Sequence, residues 1–337
     1  MGKNLKGKDL ITTQDWDREE LDSILELARD FKRMKYSKME FPPILKNKTF
    51  FGVFYNKSTR TRASFEAAMT LLHGHMQYIE AETTRAVEGE AIKDVVRVYS
   101  RYGDAIGIRI GTKHEFPPGK TTEFLRECAK YATIPVINMA NDEYHPCQAL
   151  ADILTVQEKM PKFEKKKFVI MWAYSGGNIR TPCSINEEAL IMTRYGLDVT
   201  IVCPPEFVPD PKIIDFCKKN ADESGGSIKI EHSLKNTIEG ANFVFPRSWT
   251  TTECILKGLK KVGEQEELKI HQKYKDWRLT MELVELMDKK SYIMHVMPVF
   301  RGFEADDDVM DSEKSIIIDQ AENRLYAQMA ILASVIE

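Results

Sequence analysis

From end to end the chain alternates short apolar runs with stretches of helical periodicity, and that alternation leaves few folds open. In the first half the apolar runs fall at 49–54, 76–79, 105–110 and 135–138, with helical patterns near 18–34, 60–73, 90–102 and 120–131. In the second half strand candidates stand at 168–172, 199–202, 243–245, 292–295 and 315–318. This order predicts an α/β protein with two similar domains, each a mostly parallel sheet flanked by helices. A chain of 337 residues also exceeds the size at which one core keeps growing. The boundary is expected around 145–165, where the charged stretch Met160-Pro-Lys-Phe-Glu-Lys-Lys-Lys reads as a solvated connector.

The run from Phe51 to Glu66 passes from an apolar strand into hydroxyl and guanidinium groups as a helix begins. Ser58, Thr59 and Thr61 offer hydroxyl donors there, and a helix starting near Thr59 adds unpaired backbone N–H groups and its positive dipole end. Arg60 adds a planar fork that suits phosphate oxygens. The same residues also read as an N-capped helix with a solvated basic end, and Arg62 as the i,i+4 partner of Glu66.

Charge is nearly balanced, 48 lysines and arginines against 51 acids, so no global field points to nucleic acid or an anionic membrane. Any anion site must be local. No apolar run approaches the roughly 18 residues that cross a bilayer, and Met1-Gly-Lys-Asn-Leu-Lys is not a signal peptide, so a cytoplasmic location is expected. Lys6 stands where a myristoylation signal has Ser or Thr.

Cys128, Cys147, Cys183, Cys203, Cys217 and Cys254 lack paired spacing and read mostly as reduced packing residues. Cys147 is either packing or, with a partner base, a thiol. His73 and His75 read as a surface turn. Neither a metal nor an organic cofactor is expected. The strand ending at Gly176-Gly177 invites a dinucleotide-binding reading, but the third glycine is missing and Pro182 intervenes.

A second motif, Tyr144-His145-Pro-Cys-Gln148-Ala-Leu-Ala-Asp152, follows the strand candidate at 134–138. Ser-Thr-Arg-Thr-Arg after a strand, Arg109 closing a third strand and His145-Pro-Cys-Gln148 opening a later helix together resemble the carbamoyl-phosphate half of the aspartate/ornithine carbamoyltransferase family. Met294-His-Val-Met-Pro298 and the segment from Asp319 to Gln328 resemble two blocks of the ornithine branch. The resemblance implies a carbamoyl-phosphate-binding domain over 1–150, with a C-terminal helix at 319–337 packing back on it, and an amine-substrate domain over 151–318, joined by two interdomain helices. It further implies a homotrimer whose partners are carbamoyl phosphate and a small amine.

The reaction so implied passes a carbamoyl group to an amine and releases phosphate. Thr61, Arg109 and His145 would polarise the carbonyl oxygen, Gln148 would hold the carbamoyl NH2, and Ser58, Thr59, Arg60 and Arg109 would neutralise the phosphate. No residue stands out as a general base, so the departing phosphate is the expected proton acceptor. Arg324 matches a family position near the transferring group, and otherwise reads as an ion-pair partner of Glu322 or an aspartate. The neighbouring-subunit loop would be the stretch with Thr84 and Arg85, and Glu88 stands where aspartate enzymes have a lysine.

The amine site departs from the ornithine branch. Where that branch has an aspartate for the ornithine α-amino group, this chain has Arg247, which repels an ammonium and attracts a carboxylate. Val296 and Met297 replace the branch's cysteine and leucine, leaving backbone carbonyls for the attacking amine. Asn178 and Arg301 are further second-substrate candidates, or else a turn residue and a surface charge. Ser248-Trp249, the loop after Trp172 and Lys275-Asp-Trp277 look more like the N-acetylornithine and N-succinylornithine carbamoyltransferases and relatives of unassigned substrate, in which a proline-containing loop forms a knot; Pro182 fits that pattern. Plain ornithine and aspartate are therefore disfavoured. The alternative is a non-catalytic member of the family that binds or regulates.

Overall fold

The structure is a computed structural model that describes residues 4–85, 89–111 and 113–337. Contacts divide the chain into two compact units: residues 1–112, 119–154 and 322–337, and residues 113–118 with 155–321. The chain passes between them within two long helices, α5 and α14, whose bounds follow, and again on either side of 113–118.

The first unit orders α1 (Arg18–Tyr36), β1 (Thr49–Phe54), α2 (Arg60–Leu71), β2 (His75–Glu80), α3 (Ile92–Tyr102), β3 (Ala105–Arg109), α4 (Lys120–Tyr131), β4 (Val136–Ala140) and the start of α5 (Pro146–Lys159). Its sheet is parallel throughout, in the order β2-β1-β3-β4. β4 is buried at every position and β1 at all but Thr49, which is why both read as continuous apolar runs. α1 shows the other pattern, burying Leu21, Ile24, Leu25 and Ala28 along one stripe, and its start is fixed by a capping box between Asp17 and Glu20.

The second unit continues with β5 (Lys167–Trp172), α6 (Cys183–Arg194), β6 (Asp198–Val202), α7 (Pro211–Ser224), β7 (Ser227–Glu231), α8 (Leu234–Ile238), β8 (Phe243–Arg247), α9 (Thr252–Lys257), α10 (Leu259–Val262), α11 (Glu264–Gln272), α12 (Met281–Val284), β9 (Tyr292–Ile293), α13 (Asp307–Met310) and α14 (Ile317–Val335). Its parallel sheet runs β7-β6-β5-β8-β9. Val169, Met171, Val202, Val244 and Ile293 build the core on this sheet with Leu279 and Val309. The expected class, two α/β domains with parallel sheets and flanking helices, is what the structure has.

Two elements differ from the sequence reading. The run 315–318 is not a strand: Ser315 makes a single bridge with Ile293, and α14 starts at Ile317. Ile293 N donates to Lys314 O and Ile316 N returns to Ile293 O, so the pairing is spent in one exchange. β7 was not anticipated. It is an edge strand of partly exposed Ser, Lys and Glu, so it carries little apolar signal. All six cysteines are free and buried.

Candidate active site

In the first unit the functional side chains come from the carboxyl ends of neighbouring parallel strands, where open α/β sheets bind ligands. β1 and β3 end in register, Phe54 beside Arg109, and Tyr55 N donates to Arg109 O at 2.9 Å. The β3–β4 register slips between Ile108 and Arg109, and such an irregularity re-aims the side chain that follows it. The β4–α5 connection is shaped by Asn141, whose Oδ1 accepts from Tyr144 N at 2.6 Å, and by Asn138, whose amide donates to Ile11 O at 2.8 Å. It delivers His145, 5% exposed, whose carbonyl receives Ala149 N as α5 begins.

The cluster closes around Thr61. Arg324 donates through Nη2 to Thr61 Oγ1 at 3.2 Å and through Nη1 to Gln148 Oε1 at 2.6 Å, while Arg109 Nη1 reaches the same Thr61 oxygen at 3.5 Å. With two guanidiniums on its lone pairs, the Thr61 hydroxyl has its hydrogen left to give, so it can serve an incoming carbonyl oxygen. Gln148 Nε2 donates to Asp152 Oδ1 at 2.7 Å, which fixes the amide orientation. Arg324 is thus not the Glu322 partner that one reading allowed; Glu322 accepts from Tyr36 and Tyr326 instead.

Burial lowers the Arg324 pKa from its ordinary value, Cys147 and Asp152 oppose the shift, and the like charge of Arg60 adds to it. Arg109 and Arg324 thus meet on one hydroxyl, with the like charge of Arg60 near Arg324, a setting that suits an anion.

At the helix start, Thr59 precedes α2 without a side-chain cap hydrogen bond, so the capped-helix reading fails, and Ser58, Thr59 and Arg60 keep some exposure. Arg62 lies 4.0 Å from Glu66, both exposed, and stacks 3.8 Å over the Tyr78 ring, away from the Thr61 network. Cys147 Sγ rests against Asn138 O at 3.6 Å as a packing residue. Thr84 donates to Ala81 O, Arg85 is exposed, and Glu88 lies outside the described residues.

In the second unit, Arg247 ends β8 beside Trp172 of β5 and is 8% exposed. Its Nη1 donates to Val296 O at 3.3 Å and Pro298 O at 3.5 Å and lies 3.7 Å from Glu304 Oε1. Glu304 is fully buried and takes Ser248 N at 3.0 Å, Phe300 N at 2.8 Å and His295 Nε2 at 3.2 Å. Burial alone would raise the Glu304 pKa, yet His295, Arg247 and Arg180 hold it at about 2. Burial lowers the His295 pKa.

The Val296 carbonyl, expected to accept from the attacking amine, here accepts from Arg247, and Met297 packs against the core of the second sheet. Asn178 is exposed and its amide turns back to Ser175 O at 2.8 Å, while Arg301 pairs with Asp307 at 3.1 Å and Asp311 at 2.7 Å. Gly176 and Gly177 have φ of +66° and +89°, and a Cβ on Gly176 would meet the Phe303 ring at 2.9 Å. Gly176 thus admits an aromatic ring, while Gly177 faces open space. Glu304 and Arg180 were not singled out from the sequence, and His295 only as part of Met294-His-Val-Met-Pro298; with Asp306, Asp307 and Asp308 close behind it, Glu304 carries no distinguishing signal.

A parallel α/β scaffold that brings Arg109 from a strand end and Arg324 from α14 onto one hydroxyl has the chemistry to receive an anion. Residues 8–158 match the aspartate/ornithine carbamoyltransferase carbamoyl-P binding domain, and residues 173–335 match the Asp/Orn binding domain of the same family. The anabolic ornithine carbamoyltransferase of Pyrococcus furiosus is 36% identical over 334 residues, covering 98% of this chain and 97% of that protein. The N-acetylornithine carbamoyltransferase of Xanthomonas campestris pv. campestris is 36% identical over 346 residues, covering 98% of each. Among solved structures, an acetylornithine transcarbamylase complexed with acetylcitrulline superposes with a TM-score of 0.88 at 33% identity, covering 98% of this chain and 99% of its own. The chain belongs to the aspartate/ornithine carbamoyltransferase family and is a carbamoyltransferase.

Proposed function

We propose that the enzyme transfers the carbamoyl group of carbamoyl phosphate to the amine of an amino acid or, preferentially, of an acylated diamino acid, giving a ureido product and phosphate. In this reading, residues 1–150 with 319–337 hold the donor and residues 151–318 the amine. Ser58, Thr59, Arg60 and Arg109 neutralise the phosphate, Thr61, Arg109 and His145 donate to the carbonyl oxygen, and Gln148 holds the carbamoyl NH2. The amine nitrogen bonds to the carbamoyl carbon, the carbon–oxygen bond to phosphate breaks, and the departing phosphate takes the amine proton. Arg324 keeps Gln148 and Thr61 aligned for this.

The observation that carries the reading is the convergence of Arg109 and Arg324 on Thr61, with Gln148 fixed from both ends. Preorganised donors of this kind act where negative charge develops. The preference for an acylated amine rests on Arg247, which occupies the place of an ammonium-binding acid. Some relatives hold ligands of this class, one solved acetylornithine transcarbamylase acetylcitrulline and a variant carbamyl phosphate with N-succinyl-L-norvaline, while others are named ornithine carbamoyltransferases. The test is phosphate release with product mass, using ornithine, N-acetylornithine, N-succinylornithine, putrescine, lysine and aspartate. An acylated ornithine is expected to gain a carbamoyl group; transfer to plain ornithine at equal or better rate overturns the preference, and silence across the panel overturns the reading.

A trimer is part of the proposal, with Thr84 and Arg85 reaching a neighbour's site. Beside them lies a depression of about 520 Å³ lined by Phe51, Tyr78, Thr84, Tyr99 and Tyr102, the last 73% exposed.

A further inference from the structure

Two threonines stand side by side at the start of α4, and each is tied to the connection that delivers His145. Thr121 is buried, and its Oγ1 donates to Asp142 Oδ1. Thr122 Oγ1 donates to Glu143 Oε2 and accepts from Asn141 Nδ2 at 2.7 Å. Asn141 is the residue whose Oδ1 takes Tyr144 N, so the Thr122 hydroxyl fixes the amide that shapes the turn before His145.

The other side of Thr121 meets the exit of β3. Gly111, two residues after Arg109, has φ of +75°, and a Cβ on it would stand 2.5 Å from Thr121 Cγ2. Ile110 N donates to Ala140 O at 3.0 Å just before the two chains part. The first turn of α4 is therefore wedged between two strand exits, with the Thr121 methyl against the one that carries Arg109 and both hydroxyls on the one that leads to His145. Helix formation does not call for this pair, because threonine is a poor helix former and the N-cap, Gly119, has no side chain to add. Burial raises the Asp142 carboxyl to about 6, and the Thr121 bond is foremost among the contacts that oppose the rise.

We infer that Thr121 and Thr122 are positioning residues that set the placement of His145 relative to Arg109, and so act on carbamoyl transfer without touching the substrate. This rests on the proposal that His145 donates to the carbonyl oxygen of carbamoyl phosphate, and it adds the pair that aims the donor.

The experiment is infrared difference spectroscopy of the carbonyl stretch of carbamoyl phosphate bound to the full chain, with affinity measured by calorimetry on the same samples. A donor on the carbonyl oxygen moves that stretch to lower frequency, and no amine is needed to see it. His145→Leu is expected to remove part of the downshift, Thr61 and Arg109 supplying the rest. Thr122→Val keeps the shape of a half-buried side chain; it should remove at least about half as much, with affinity changed about threefold or less, and Thr122→Ser should restore the shift. In the His145→Leu background, Thr122→Val should change nothing further. Thr121→Val should act in the same direction, but its burial puts the fold at risk, so Thr122 carries the test. A downshift that survives Thr122→Val, an affinity that collapses with it, or a loss that adds to that of His145→Leu overturns the inference. If His145→Leu leaves the stretch unmoved, or the unaltered chain binds no carbamoyl phosphate, the reading of the first site falls and the positioning role falls with it.

Discussion

Thr61 is the residue on which the first site turns, because its oxygen receives both Arg109 and Arg324 and only its hydrogen is left to act. Thr61→Val should lower kcat about 100-fold or more with the fold intact, as loss of one preorganised donor does elsewhere, while Thr61→Ser keeps most activity; steady-state kinetics decide. Arg60→Ala should remove the thermal protection given by carbamoyl phosphate while leaving the melting temperature of the free protein nearly unchanged, since Arg60 is partly exposed at a helix start. Unaltered protection would show that the phosphate sits elsewhere. Glu304 gives a pH signature: its carboxyl, ordinarily near 4.5, is held at about 2, so its contribution is present above about 4.5 and is lost as pH falls towards 2. The shift corresponds to about 3 kcal/mol. Urea titrations at stepped pH should show Glu304→Gln weakening the protein above pH 4.5 and flattening the acid limb of its stability curve.

Site residues were legible where they came in motifs. Ser58 to Thr61 and His145 with Gln148 announce themselves because several donors of one chemistry are crowded beside a helix start. Arg180 stands singly in its loop and Glu304 sits among Asp306, Asp307 and Asp308, and a loop charge looks the same in sequence whether solvated or buried. Only packing distinguishes them. Arg301 is the converse case: it looked like a ligand group and is paired with Asp307 and Asp311.

At the level of elements, the strands buried on both faces could be read because nothing but apolar side chains fits there. The edge strand β7 could not, and 315–318 misled because an apolar stretch entering a helix looks like a strand when it is short. One element junction offers a clear test. Glu267 of α11, fully buried, accepts from Thr251 N at 2.7 Å and Thr251 Oγ1 at 2.6 Å at the start of α9, and from His271 at 3.0 Å. Glu267→Ala strips these donors of their acceptor and should cost about 3–5 kcal/mol by urea denaturation, against under 1 kcal/mol for an exposed pair such as Lys257 with Glu253.

For the whole molecule, the two units should respond to different ligands. Carbamoyl phosphate is expected to slow amide exchange at the first turn of α2 and the start of α5, and N-acetyl-L-norvaline at 295–304; protection by either ligand confined to the wrong segment counts against the assignment of roles. Sedimentation should give about 116 kDa, three chains of 38.7 kDa each, if the trimer proposal holds. A monomer would remove the role given to Thr84 and Arg85.

Arg324 reaches Thr61 across 263 positions of sequence. A ribosome making this protein therefore completes both sheets, and every other group of the first site, before it adds the residue that locks Thr61 and Gln148 together. Placing a late-made helix in the site of an earlier-made sheet leaves that alignment waiting on residues far along the chain.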